Sequence, residues 1–322
     1  MGQILSFLYK AFGDQMFAKL PGAETYGDLT GRTFLVTGSN TGVGFGLATH
    51  LARLQPAQLI LAVRDLKKGE VAKESILAET GFKGLLEVWE LDMADFASVK
   101  RFAERANTSL KRLDGASLNA GINVWKWAMT KDGWESILQI NALATGLLAV
   151  LLLPLLQSTT KLPAPHPDAS QTPPHLVITG SAGTLNSTLL YLPLLTGRAS
   201  TSKLFNFFLA REIATLLQAK GVVVNVVDPG ICNSELGRDL PIPSPVLWMF
   251  QKIGWEPAKG ALNLLYALRS PTSPGAYITA CAEYAPPSWT RTEKGLELQT
   301  KLWSEMVEVW KGIAPEVSSV LV

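Results

Sequence analysis

Short apolar runs, mostly β-branched residues and leucine, recur along this chain, and stretches with a helical apolar repeat separate them. Phe34–Val36, Leu59–Val63, Leu86–Leu91, Gly115–Leu118, Leu176–Ile178 and Val222–Val227 read as strands, with Tyr277–Thr279 as a seventh. Helical segments fall between them at Val43–Leu54, Lys67–Glu79, Phe96–Arg105, Trp134–Leu153 and Thr201–Leu217. Strands that are apolar on both faces belong in a parallel sheet covered by helices on both sides. The pattern therefore predicts a single doubly wound α/β domain of about seven strands over residues 31–285. An N-terminal arm, 1–30, precedes it, and 286–322 forms a helical extension ending in the amphipathic helix Glu293–Trp310. Residues 157–174, rich in Pro, Ser and Thr, read as a surface loop, and 237–256 mix Pro and Gly with large apolar residues.

The first strand runs into Thr37-Gly38-Ser39-Asn40-Thr41-Gly42-Val43-Gly44, which opens the first helix. Strand, glycine turn and helix in that order make a Rossmann-type dinucleotide loop. One glycine permits the turn, one lets backbone approach phosphate, and one allows close helix–strand packing. The helix N-terminus supplies amide donors and partial positive charge for a pyrophosphate. At the end of the second strand, a site for NAD usually has an acid for the ribose 2′-hydroxyl. Here Val63 is followed by Arg64, which can pair with a 2′-phosphate, with Lys67 or Lys68 adding charge. NADP(H) is the expected cofactor, although Asp65 leaves NAD(H) open.

Composition narrows the partners. A net charge of +2 gives no electrostatic footprint for nucleic acid. Two cysteines, Cys232 and Cys281, make no disulfide framework and suit a reducing, intracellular and cytoplasmic setting. His50, His166 and His175 lack metal-like spacing, so no metal site is expected. The apolar stretch 142–156 is shorter than the roughly 20 residues a bilayer requires, so a buried helix rather than a transmembrane segment is expected. The N-terminus matches the N-myristoylation pattern through Gly2 and Ser6, and it also reads as an amphipathic arm packed on the domain.

These residues resemble the short-chain dehydrogenase/reductase family from about Gly31 to Leu236. Thr37 to Gly44 matches its TGxxxGxG motif, and Asp92, after Leu91, its acid near adenine. Asn119-Ala120-Gly121 matches its NAG motif, and Asn141 falls at its structural and proton-relay asparagine. Ser181 matches the catalytic serine, Lys203 the catalytic lysine, and Pro229-Gly230 the PG motif. The resemblance implies that Ile231 and Ser234 face the nicotinamide carboxamide. The variable regions are most similar to retinol-dehydrogenase-like reductases, including fungal ones of secondary metabolism.

One departure falls at the centre of the chemistry. The family carries Tyr-x-x-x-Lys, and here the position four before Lys203 is Ala199. Residues i and i+4 share a helix face. In the family the tyrosine exchanges the substrate proton, the lysine lowers its pKa and holds the nicotinamide ribose, and the serine polarises the carbonyl. Alanine does none of the tyrosine's work. Three explanations stand. The first, and the expectation here, is an engineered Tyr-to-Ala change in an otherwise intact reductase. The second is natural loss with another acid recruited, Tyr191 being the nearest tyrosine in sequence. The third is a protein that holds NADP(H) and substrate without redox chemistry, as a cyclase, isomerase or scaffold.

The segments that follow the family's motifs are apolar. They are Trp125 and Trp127, then Leu185, Leu189, Leu190, Tyr191 and Leu194, then Leu240, Ile242, Val246, Leu247, Trp248, Met249 and Phe250 in the lid, 237–256. A pocket of that kind suits a bulky apolar carbonyl or alcohol. Helices 134–153 and 201–217 are those the family often uses between subunits, and burial within one subunit explains their leucines and phenylalanines as well.

Overall fold

The computed structural model describes residues 13, 15–165, 172–181, 197–217, 220–238, 240–241 and 244–321. Its sheet has eight strands in the order β3-β2-β1-β4-β5-β6-β7-β8. They are β1 Thr33–Thr37, β2 Gln58–Val63, β3 Leu85–Glu90, β4 Gly115–Leu118, β5 His175–Thr179, β6 Val223–Val227, β7 Tyr277–Thr279 and β8 Ala282–Tyr284. Seven strands pair in parallel, and β8 adds an antiparallel edge on β7. The doubly wound α/β expectation holds, with eight strands in place of about seven. The eighth was hidden by its turn. Ala280 and Cys281 adopt φ of 49° and 53°, a two-residue hairpin loop without the Asn-Gly or Asp-Gly signal that usually marks one.

Helices α1 Gly42–Arg53, α2 Leu66–Thr80 and α7 Pro257–Arg269 contribute to the core on one face of the sheet. Helices α3 Phe96–Ser109, α4 Ser136–Thr160, α5 Gly197–Leu216, α8 Glu293–Ile313 and the short α9 Val317–Val320 pack on the other. The remaining helix, α6 Ser244–Ile253, lies within the segment read as a lid.

Helix α4 is the one described helix long and apolar enough to cross a membrane, and 89% of its apolar window is buried inside the protein. It runs past the predicted end at Leu153. Pro154 sits on its exposed side, where water can satisfy the carbonyl that the missing proline N–H leaves. A π-turn interrupts it at Gln139–Leu143, and Trp310 of α8 donates its indole N–H to the Leu143 carbonyl at 2.8 Å. Gly146 lets that ring in, since a Cβ there would lie 2.3 Å from Trp310. Trp310 is fully buried, so Trp310→Ala should cost about 3–5 kcal/mol, measured by urea unfolding.

Candidate active site

The chain leaves β1 for β2 and β3 on one side and for β4 on the other, so the strand order reverses between β1 and β4. A crevice opens at the carboxyl ends of the strands where such a reversal occurs. Thr37, Asn119 and Thr179 close β1, β4 and β5 at that edge. The Thr37 hydroxyl accepts from the backbone N–H groups of Asn119 and Ala120, both at 2.9 Å. Asn119 Nδ2 returns a bond to the Thr37 carbonyl at 3.2 Å, and Thr179 Oγ1 reaches Asn119 Oδ1 at 3.5 Å.

The glycine loop is tight for identifiable reasons. Gly38 and Gly42 have φ of 65° and 60°. A Cβ on Gly44 would lie 2.3 Å from the Gly38 carbonyl oxygen and 2.6 Å from Asn119 Nδ2. The N-cap of α1, Thr41, makes no side-chain capping bond, and the first turn has no acid. The N–H groups of that turn therefore face a place suited to an anion. Ser39 is fully buried, Asn40 half-buried, and Val43 half-buried at the start of α1. Ser234 comes to the same loop, its Cβ 3.6 Å from where a Gly42 Cβ would be.

At the end of β2, Val63 is buried and Arg64 exposed. Asp65, which left the cofactor choice open, is occupied elsewhere: it caps α2 by accepting from the Lys68 N–H at 3.1 Å. Asp92 follows β3 and accepts from the Ala94 N–H at 2.9 Å, which fixes its carboxylate at the carboxyl end of that strand.

The catalytic candidates converge from three elements. Ser181 stands just past β5, and Ala199 and Lys203 lie one turn apart on α5. Lys203 Nζ donates to the Thr179 carbonyl at 2.8 Å, which ties α5 to the end of β5. Gly121 lies between Lys203 and Asn141: a Cβ there would be 3.5 Å from Lys203 Nζ and 3.1 Å from Asn141 Oδ1. Burial pushes the Lys203 ammonium down to about 8. The Asn141 side chain is committed to structure. Its Nδ2 donates to the Ile122 carbonyl at 2.9 Å and to Ser202 Oγ at 3.0 Å, and its Oδ1 accepts from the Ile122 N–H at 2.8 Å. Ser202 Oγ in turn donates to the Ala199 carbonyl at 2.7 Å. Asn141 sits in the π-turn, which aims its amide at both the loop after β4 and the first turns of α5.

Among the described residues, the surroundings make three phenols weaker acids. Burial raises the phenols of Tyr26, Tyr266 and Tyr277, and Tyr191 lies outside the described residues. Burial also pushes the Cys232 thiol up to about 12, so it stays protonated beside the PG loop. His50 and His175 serve structure, and His166 lies outside the described residues. His50 Nε2 pairs with the Ala258 carbonyl at 2.8 Å, and His175 Nδ1 with that of Ala267 at 2.7 Å.

On the substrate side, Trp125 and Trp127 are exposed, on a loop held by Arg198. Arg198 donates to the carbonyls of Val124 at 3.1 Å and Trp125 at 2.8 Å and pairs with Glu135 at 2.6 Å. Trp248 of α6 is exposed. Leu185, Leu189, Leu190, Leu194 and Ile242 lie outside the described residues, as do the side chains of Val246, Leu247, Met249 and Phe250.

Sequence reasoning missed Arg198, Glu135, Ser202 and Gln15. Gln15 is buried against the PG loop, bonded to both peptide groups of Ile231. No spacing rule links such residues to the loops they hold, since the contacts span up to 240 positions of sequence.

The comparisons with known proteins agree with this fold. The short chain dehydrogenase family model matches residues 32–163. The short chain dehydrogenase/reductase dmxR8 of Cryptosporiopsis sp. is 33% identical over 98% of this chain and 99% of its own. The short chain dehydrogenase atnD of Emericella nidulans is 37% identical over 75% of this chain and 79% of its own. Among solved structures, a Shigella flexneri short chain dehydrogenase complexed with NADP superposes with a TM-score of 0.62 and 26% identity, covering 79% of this chain and 98% of that one. An uncharacterised Mycobacterium paratuberculosis protein shares the fold with a TM-score of 0.65 and 24% identity, over 91% and 98%. A doubly wound sheet with a glycine loop at its switch point is a Rossmann-type dinucleotide-binding fold. The chain belongs to the short-chain dehydrogenase/reductase family.

The residues present fit that family's nicotinamide dinucleotide. The cradle between Gly38 and Gly44 has no room for a side chain, and the uncapped N-terminus of α1 is a donor set for a pyrophosphate.

Proposed function

We propose that this chain is an NADP(H)-dependent carbonyl reductase of a bulky apolar substrate in natural-product metabolism, in a form whose proton donor has been replaced by Ala199. The observation that carries the reading is the Lys203 ammonium fixed on the Thr179 carbonyl at 2.8 Å, one helix turn from Ala199 and beside the NAG loop. The bonds of Lys203, Ser202 and Asn141 around position 199 support the reading.

The glycine loop and the first turn of α1 would hold the pyrophosphate, Arg64 the 2′-phosphate, and Lys203 with the loop after β6 the nicotinamide end. The bound cofactor supplies or accepts the hydride. Lys203 donates hydrogen bonds and positive charge where the nicotinamide ribose would lie. Ser181 offers a hydroxyl to the substrate oxygen at the end of β5. Asn141 keeps the NAG loop and α5 in register through Ile122 and Ser202. Ala199 leaves the substrate oxygen without a positioned acid. The chain therefore holds reactants better than it converts them. The exposed Trp125, Trp127 and Trp248 support an apolar, aromatic-tolerant substrate, and the fungal origin of the relatives named above supports natural-product metabolism.

The choice of NADP(H) over NAD(H) is supported by Arg64 at the end of β2 and by the engagement of Asp65 as a helix cap. Titration of the protein with NADPH and with NADH tests it. NADPH should bind more tightly, and Arg64→Leu should weaken NADPH by about tenfold or more, a charge-assisted bond's worth, with NADH unchanged. Equal affinity for both cofactors in the unaltered chain would refute the assignment. Ala199 also favours a second reading, in which the bound dinucleotide is structural and the pocket serves a cyclase or isomerase. Product formed from an apolar substrate at unchanged NADPH absorbance would favour it.

A further inference from the structure

Among the described residues of the N-terminal arm, Gln15 reaches the site. Gln15 is 5% exposed and makes four hydrogen bonds to segments more than 200 residues away. Its Nε2 donates to the Ile231 carbonyl at 2.8 Å and to the Ile253 carbonyl at 3.1 Å. Its Oε1 accepts from the Ile231 N–H at 3.0 Å. Its own carbonyl accepts from the Trp255 indole at 2.6 Å. A primary amide that both donates to and accepts from one residue's backbone fixes the orientation of that residue about as firmly as a strand neighbour would.

The loop it grips follows β6. Gly230 has φ of 78°, and a Cβ there would meet Gln15 Oε1 at 2.8 Å and the Trp255 ring at 3.0 Å. Cys232 pairs with Trp255 as a short parallel bridge, through Trp255 N–H to the Ile231 carbonyl at 2.8 Å and Asn233 N–H to the Trp255 carbonyl at 2.9 Å. Helix α6 ends at Ile253, and its last carbonyls would lack partners without help from elsewhere. Asn233 Nδ2 takes Gln251 at 3.0 Å and Gly254 at 3.1 Å, and Gln15 takes Ile253. Two side-chain amides, one from the arm and one from the loop, therefore bind the C-terminal end of the lid helix to the PG loop.

We propose that Gln15 is a positioning residue of the dinucleotide site: its carboxamide sets the Ile231 peptide and couples it to lid helix α6. The inference rests on the reading above, in which the loop after β6 takes the nicotinamide end. Gln15 itself touches no reactant. Its effect passes through Ile231 and falls on the nicotinamide half, while the adenosine half depends on the glycine loop and Arg64.

That split supplies the test. Binding of NADPH and of 2′-phospho-ADP-ribose, which lacks the nicotinamide, is measured by titration calorimetry on the full chain, on Gln15→Ala and on Gln15→Glu. Gln15→Glu keeps the volume and the acceptor toward the Ile231 N–H but sets a carboxylate against the Ile231 and Ile253 carbonyls. It serves if Gln15→Ala proves unstable. Both variants should weaken NADPH by about tenfold, as loss of one or two buried hydrogen bonds does, and leave 2′-phospho-ADP-ribose within about twofold. Amide exchange at 231–234 and 251–255 should quicken in both variants. Unchanged NADPH affinity, or equal weakening of both ligands, overturns the proposal and leaves the functional reading standing. Failure of the unaltered chain to bind either ligand overturns both.

Discussion

Ala199→Tyr should raise NADPH-dependent reduction of a bulky apolar ketone or aldehyde by about 10²–10⁴-fold, the usual contribution of one positioned general acid. The argument is geometric. Position 199 lies one turn before Lys203 on α5, so a phenol there shares the lysine's face of the helix. Lys203 is already held by Thr179, and Ser202 and Asn141 already fix the backbone of that first turn through the Ala199 carbonyl. The substitution therefore adds a group to a framework that is standing. Stopped-flow or steady-state absorbance at the NADPH band reads the result. Ala199→Phe fills the same space without the hydroxyl and should stay at the low level of the unaltered chain. If the tyrosine variant binds NADPH and reduces no member of a panel of apolar carbonyls, the reductase reading is lost and the non-redox reading takes its place. If phenylalanine and tyrosine act alike, the gain is packing rather than proton transfer.

Much of this was legible in the sequence because it is local. The strand–glycine–helix succession at Thr37–Gly44 is a contiguous signal, and the buried runs of β1, β2, β5 and β6 can sit only in a sheet covered on both faces. The position of Ala199 relative to Lys203 needed only the helical repeat. The structure altered what depended on distant pairing. Asp65 looked like a competitor for the ribose and proved to be the cap of α2. Strand β8 was hidden because Ala280 and Cys281 make its turn without glycine, helped by the Asn263 side chain, which accepts from the Cys281 N–H at 2.7 Å. Asn141 was legible as a position and, through the family resemblance, as a structural asparagine, but its partners were not. Only the fold shows that the π-turn points its amide into Ile122 and Ser202. Gln15 carried no sequence signal at all: a glutamine in a short polar–apolar arm gains its meaning from Ile231 and Trp255, contacts made when the chain closes.

Lys203→Met should have effects of opposite sign on activity and stability, and that opposition identifies what the lysine does. In the tyrosine-restored protein the ammonium holds the adjacent phenol in its reactive range, so its loss should lower turnover by about 10²–10⁴-fold. Stability moves the other way. Burial lowers the folded lysine to about 8 from its ordinary 10.5, with no compensating charge among the causes of that shift. Below about pH 8 both the folded and the unfolded chain carry the proton, and the folded chain bears the full cost of a desolvated cation. Between about 8 and 10.5 the unfolded chain binds more proton than the folded one, so the contribution of this group to stability rises with pH across that window. Methionine matches the stem and carries no charge. Lys203→Met should therefore melt higher than the unaltered chain at pH 7, and the rise in melting temperature between pH 8 and 10 should flatten. A variant that melts lower at pH 7 would show that the bond to Thr179 outweighs the desolvation of the charge. The same titration sets the limit of activity. As pH climbs through about 8 the ammonium is lost, and turnover of the tyrosine-restored enzyme should fall on the alkaline side even while the fold grows firmer. Opposite signs in the two measurements would show a charge kept for the chemistry at a cost to the fold.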